Sequence, residues 1–319
     1  MSQYVIMPTM DCDPGDSFPN SRFSKFTPPG WRADRENCYG QYKAAVERIM
    51  AILNDVGIGS KMTWFLNERD VGWSKNLRSL ILELQAAGHE IGIHTHVGGT
   101  FNESRLADPG MRQSAWDIMC KAKAVIEGII GRECISHRFG CYHQEVFFYD
   151  ILKQLGYKIV SDVNPGVYLR DMEGYILDNE NVPLNAAPWW HDTGNWSDYN
   201  SKNGCFLHIP VTASALGEDA LLNTLQSTEI NGRKLKNITP INGIAEKAAA
   251  HNIKYICWHI HPHEIQKMDG GIDEAKAQDL RECLSGIDRK LKPAYMTFSE
   301  FYNGYRNINN TSGGTDFKH

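Results

Sequence analysis

Among the twelve histidines of this 319-residue chain, two stand two residues apart in the stretch Gly88-His-Glu-Ile-Gly-Ile-His-Thr-His-Val-Gly-Gly99. The stretch follows a helix-like segment ending at Ala86-Ala87-Gly88, alternates apolar positions and stops at a glycine pair, as a buried strand entering a loop does. On such a strand the period of two puts His94 and His96 on one side, where two imidazoles can share a metal ion. The competing reading is a pair of ordinary hydrogen-bonded loop histidines, so the neighbours must decide. Other residues with chemical capability sit at the ends of similarly apolar segments: Asp11 and Asp13, Arg138, Asp162, and His259, His261 and His263.

The elements that would position these residues alternate. Strands are expected at Tyr4–Met10, Lys61–Leu66, Glu90–His96, Cys134–Arg138, Lys158–Asp162, Cys205–Val211, Lys254–His259 and Ala294–Phe298. Helices are expected at Tyr39–Val56, Ser74–Ala87, Met111–Ile130, Glu145–Leu155, Glu218–Gln226, Ile241–His251 and Asp273–Leu291. Strand followed by helix, repeated, argues for parallel strands joined by crossover helices. The sequence thus predicts an α/β fold, a distorted (β/α) barrel of about seven parallel strands in a single domain over 1–308. Long loops are expected at 14–38 and 163–203, and a flexible polar tail at 309–319. In such a barrel sites form at the C-terminal ends of the strands, which is where the polar residues fall. Convergence from distant parts of the chain is stronger evidence than any single motif.

Composition narrows the partners. A formal charge of −5 gives no reason to expect nucleic acid or an anionic membrane. No run of about 18 apolar residues suggests membrane insertion, and Met1-Ser-Gln-Tyr-Val-Ile-Met-Pro lacks a basic leader, so a cytoplasmic location is expected. The eight cysteines form no Cys-x-x-Cys pair and read as reduced. Oligomeric state is not legible.

Pro8-Thr-Met-Asp-Cys-Asp13, Gly88-His-Glu-Ile-Gly-Ile-His-Thr-His96, His137-Arg-Phe-Gly-Cys-Tyr142, Leu155-Gly-Tyr157 and Trp258-His-Ile-His-Pro-His-Glu264 occur in the order and approximate spacing of the polysaccharide deacetylases, the NodB-homology carbohydrate esterases. The resemblance spans roughly Val5 to Phe301. It implies a NodB-type distorted barrel, one divalent metal ion, most often Zn2+ with Co2+, Ni2+ or Mn2+ as alternatives, and a substrate carrying an N-acetyl group on an amino sugar or glycoconjugate precursor. It makes Asp11 the general base, Asp13 and His94 metal ligands, Arg138 the partner that orients Asp11, and a histidine of the last motif the general acid, with His261 favoured and His259 a neighbour contacting substrate. A backbone N–H near Cys141 or Tyr142 would assist the oxyanion.

Three departures from the family pattern bear on the site. Cys12 stands where an ungapped alignment expects the metal aspartate, whereas alternation favours Asp13 on the face of Asp11. The usual second metal histidine falls on Gly98, so His96 is its substitute by geometry. The last motif offers both His259 and His261. Trp190, with Trp189, Trp196 and Tyr199, is either a stacking platform for sugar rings or the anchor of a long loop. His143 reads as a helix-start residue or a ligand, His191-Asp192 as a weak substrate contact and His208 as a core histidine. The alternatives are a hydrolase of another C–N amide bond, a non-catalytic carbohydrate-binding relative, and, from Asp11-Cys-Asp-Pro-Gly-Asp16, a nucleoside hydrolase holding calcium.

Overall fold

The computed structural model describes residues 4–13, 34–69, 71–97, 109–170, 176–214, 241–267 and 269–311. Strands β1 (Val5–Cys12), β2 (Thr63–Asn67), β3 (Glu90–Thr95), β4 (Ser136–Phe139) and β5 (Ile159–Val160) alternate with helices α1 (Arg35–Asp55), α2 (Lys75–Ala86), α3 (Pro109–Ile130) and α4 (Val146–Gln154). There follow β6 (Tyr168–Arg170), β7 (Ile176–Asp178), β8 (Trp189–His191), β9 (Phe206–His208), β10 (Ala213–Ser214), α5 (Ile244–His251), β11 (Tyr255–Ile260), α6 (Glu274–Leu291), β12 (Ala294–Tyr295) and α7 (Phe298–Thr311). Side-chain caps fix several helix starts: Asp34 accepts from Asn37 N–H, Ser74 from Leu77 N–H and Asp273 from Ala275 N–H.

Ten strands form one sheet ordered β10-β11-β1-β2-β3-β4-β5-β9-β8, with β12 paired to β1. All pairings along it are parallel except β8 with β9. The sheet curls without β10 pairing to β8 among the described residues, so the expected barrel is a half-barrel.

Period-two alternation gives the sheet two different faces. Ile6, Met10, Cys12, Trp64, Leu66, Ile91, Ile93, Phe139 and Trp258 turn outward into a layer shared with the helices. The concave face begins with Val5, Met7, Phe65, Ile159, Leu207 and Cys257, plugged by Phe298, Phe301 and Tyr302 of α7. Continuing up that face in steps of two from Val5 leads through Thr9 to Asp11 and Asp13, from Phe65 to Asn67, and from Cys257 to His259 and His261. Register aligns the tiers: Asn67 lies opposite His94, which lies opposite Arg138, and Thr9 lies opposite His259. One end of the half-barrel is therefore apolar and filled; the other is polar.

Several expectations need correction. Helix α7 is not among the expected elements, which end with the strand at Ala294–Phe298 and resume only with the tail at 309–319, whose residues from 312 on lie outside those described. Phe298, Phe301, Tyr302 and Tyr305 recur at helical spacing, and Thr297 and Glu300 cap one another: Glu300 N–H donates to Thr297 Oγ1 and Thr297 N–H donates to Glu300 Oε2. The stretch 163–203 carries strands rather than one continuous loop, because Val163, Val182, Ala186 and Trp189 supply a small core of their own. Most of the expected loop at 14–38, the helix at Glu218–Gln226, Gly98 and the end of the calcium-like motif lie outside the described residues.

Candidate functional site

Two strand ends, those of β1 and β3, bring the first cluster together. Asp13 follows β1, His94 is in β3, and His96 is two residues further on, so the two imidazoles share the concave face. Asp13 Oδ2 lies 3.2 Å from His94 Nε2 and 3.3 Å from His96 Nε2. Asn67 donates to the other oxygen, Asp13 Oδ1, at 3.2 Å. His94 Nδ1 lies 2.9 Å from the Arg138 carbonyl, which only accepts, so Nδ1 carries the proton. That bond leaves the Nε2 lone pair facing the Asp13 oxygen, two acceptors that only a shared proton or cation reconciles. A tetrahedral ion with bonds of about 2.0–2.1 Å separates its ligands by roughly 3.4 Å, close to what is observed. Donor chemistry and second-sphere bonds thus fit a divalent cation.

Space for His96 is made by Gly140. A Cβ there would sit 2.3 Å from His96 Cε1. Gly92 serves likewise beneath: its missing Cβ would fall 2.7 Å from the Phe65 ring. Phe65 in turn underlies the Arg138 guanidinium, at 4.4 Å from the ring centroid.

Arg138 is completely buried and fully used. It donates to Asp11 Oδ1 at 2.7 Å, Thr9 Oγ1 at 2.7 Å, the Ser161 carbonyl at 3.0 Å and Ser161 Oγ at 2.8 Å. Burial alone would raise the pKa of Asp11, but Arg138, with His259 and His94, outweighs it and holds the carboxyl down at about 2. Asp11 is therefore ionised, with Oδ1 committed to Arg138. On its other side Oδ2 lies 3.8 Å from His259 Nε2.

The two histidines of β11's end differ. Burial pushes His259 down to about 3, despite Asp11, so it is neutral, and its ring meets the Tyr142 hydroxyl at 2.9 Å. His261 is also desolvated, yet Glu264 outweighs burial and raises its pKa above the ordinary value. Tyr142 occupies left-handed backbone at φ 55, rare outside glycine, in the 3₁₀ turn that follows β4. Asp11, His259 and His261 form a second triad with ligand atoms within 4.8 Å of one another. The Arg138 cation on Asp11 and the Glu264 bond on His261 make that triad a poor second metal site.

The structure thus brings Asp11, Asp13, His94, His96, Arg138, Tyr142, His259 and His261 together. Cys12 is not among them: alternation turns it to the helix layer beside Tyr42, where burial raises its thiol pKa. Trp190 is not either. Antiparallel pairing of β8 sets it opposite Leu207, low on the concave face, against Tyr302 at 5.7 Å between centroids. Asp162 points outward, accepting from Phe139 N–H, and burial lifts its pKa to about 8. Trp189 stacks on His208 at 4.5 Å, while His208 accepts from Asp162 N–H and meets His191. His143 is buried behind the 3₁₀ turn, and burial pushes its pKa to about 3. Sequence reasoning missed Asn67, Gly140 and Glu264. The first lies two positions past Phe65 on the same face, and the last three residues after His261, both countable spacings.

No family model matches the chain. A peptidoglycan deacetylase-like protein, FGM2, from Gibberella zeae is 24% identical over 203 residues, 60% of this chain and 55% of that protein. The chain thus spans little more than half the length of the curated relative it matches. A Mycobacterium smegmatis structure described as a polysaccharide deacetylase superposes with a TM-score of 0.59 at 14% identity, covering 100% of this chain and 95% of the other. The allantoinase PuuE gives 0.59 at 12% identity over 98% and 93%. At such identity these structural likenesses are of fold. In motif order, in this curated relative and in its half-barrel, the chain is similar to the polysaccharide deacetylases.

Proposed function

We propose that the chain is a metal-dependent hydrolase that removes an acetyl group from an N-acetylated amino sugar or glycoconjugate precursor. The observation that carries this reading is the Asp13, His94 and His96 triad beside an ionised Asp11 and a Glu264-held His261. Asp13 Oδ2 and the two Nε2 atoms would hold the cation, Zn2+ being the common occupant of such a set and Co2+, Ni2+ or Mn2+ also suited to it. A divalent ion supplies a lowered water pKa and polarises the acetyl oxygen.

The remaining steps belong to the chain. Asp11 Oδ2 takes a proton from water as the water oxygen bonds to the acetyl carbon. Arg138 keeps Asp11 ionised and oriented. The backbone N–H at Cys141 or Tyr142 is the candidate donor to the developing oxyanion. The C–N bond then breaks as His261 gives its proton to nitrogen, leaving acetate and a free amine.

Elemental analysis of the purified protein, run beside acetate release from N-acetylhexosamine derivatives including nucleotide-linked ones, tests this. About one ion per chain with chelator-sensitive acetate release is expected; no acetate from any of them refutes the sugar substrate. The fold likeness to an allantoinase favours a second reading, hydrolysis of another C–N amide bond, so allantoin belongs in the panel.

A further inference from the structure

We propose that Glu264 is a positioning residue that fixes the proton donor His261, and that it acts through that ring alone. The inference rests on the hydrolase reading above and deepens it. Glu264 follows His261 in a 3₁₀ turn, Pro262–Ile265, that packs against α1. Its Oε1 accepts from the His261 backbone N–H at 3.0 Å and lies 3.3 Å from His261 Nδ1, while Glu264 N–H donates to the His261 carbonyl at 3.0 Å. Pro262 fixes the first φ of the turn, so the carboxylate arrives beside the ring without a conformational search.

The chemistry follows from which nitrogen is engaged. A carboxylate only accepts, so Nδ1 must carry a proton, and the donor proton for the leaving nitrogen is then the one on Nε2. The titratable groups facing the ring are Glu264 and the stacked His263 from its own turn, His259 from β11, and Asp11 and Asp13 from β1; of these both histidines are held neutral by burial. Glu264 alone among these combines a charge with a hydrogen bond to the ring and the backbone of the same residue. The arrangement is the orienting logic of a base or acid held by a third group.

The test uses leaving groups. Amide nitrogen leaves only when protonated, whereas 4-nitrophenolate leaves without a proton. The zinc-loaded enzyme is assayed on the amide that the substrate panel selects and on 4-nitrophenyl acetate, in the parent, Glu264→Gln, His261→Ala and the double variant. Glutamine keeps an oxygen for both Nδ1 and the backbone N–H but removes the charge. Expected is a loss of about 10- to 100-fold in kcat on the amide, with ester turnover and zinc content held to within about twofold of the parent, and no further amide loss when E264Q is added to H261A. Equal losses on amide and ester, no loss on either, or multiplied losses in the double variant overturn the proposal. Should E264Q not fold, Glu264→Asp, which shortens the arm but keeps the charge, is read for the same split. An active parent with a failed split sinks Glu264's role, whereas a parent inactive on every amide sinks the hydrolase reading itself.

Discussion

Substituting Gly140 by alanine separates the position of His96, proposed as a metal ligand, from its chemistry. The added Cβ would lie 2.3 Å from His96 Cε1 and 2.4 Å from each ring nitrogen. Carbon contacts become comfortable only at about 3.5 Å, so the ring must retreat by roughly 1 Å. Metal bonds tolerate about ±0.2 Å, which that retreat exceeds several times over. Every donor atom remains, yet His96 leaves the site. The expected loss is about 10- to 100-fold in zinc affinity, or roughly 1.4–2.7 kcal/mol, the range for disturbing the support of a metal ligand. Because an imidazole turns on two single bonds, it swings aside at a folding cost of about 1 kcal/mol, the low end for overpacking. Zinc titration against a chromophoric chelator measures the first quantity and thermal unfolding of the metal-free protein the second. His96→Ala should match G140A in affinity. Zinc binding by G140A at parental strength, within about twofold, would refute the assignment of His96 and the steric reasoning together.

Arg138→Met should cost about 3–5 kcal/mol in urea unfolding near neutral pH, because it leaves the Asp11 carboxylate buried without its partner. The same change should move the acid limb of turnover upward: the folded pKa of Asp11, about 2 in the parent, lies below its unfolded value, so its stabilisation is present above roughly pH 4 and is lost as pH falls through the folded value. Glu90→Gln should cost about 2 kcal/mol, since the carboxylate accepts from Thr63 Oγ1, Ser136 Oγ, and both N–H and Oγ of Ser299, and an amide nitrogen cannot replace an acceptor. Hydrogen exchange should show α7 loosening first. For Asp162, whose folded pKa of about 8 exceeds the unfolded one, stability should fall as pH rises from about 4 to 8, by up to ~1.4 kcal/mol per unit. Asp162→Asn should flatten that slope in unfolding measured across the range; an unchanged slope would mean Asp162 is ionised in the folded protein.

Much of the site is legible because it obeys one rule, the period of two. Counting from Asp11 reaches Asp13 and skips Cys12, and counting from His94 reaches His96. Applied to β5 and its extension the same count would have placed Ser161 inward and Asp162 outward, which is how Arg138 finds the Ser161 hydroxyl. The order of the β/α units was equally readable, since apolar strands and amphipathic helices alternate with clear caps. What the pattern does not encode is direction and closure. Nothing local in Trp189-Trp190-His191 says that β8 runs against β9, and that pairing is what keeps Trp190 from the mouth. Whether the curled sheet closes depends on whether its edge strands, β8 and β10, pair with each other, and no local pattern records that. Helix α7 hid behind glycine and four asparagines, although its Thr297–Glu300 cap and its aromatic spacing were there to be counted.

The way β1 is held also bears on how the chain acquires its structure. Its neighbours on one side are β11 and on the other β2 and β12, so Val5 lies opposite both Tyr255 and Ala294. Thr9 Oγ1 donates to the Trp258 carbonyl across a separation of 249 residues. Contacts this distant are slow to form, because the intervening chain must first be brought round. Until β11, β12 and the aromatic plug of α7 reach it, the strand that carries Asp11 has one edge unpaired. Completion of the site is therefore a late step of folding, and until then that edge of β1 is open to mispairing.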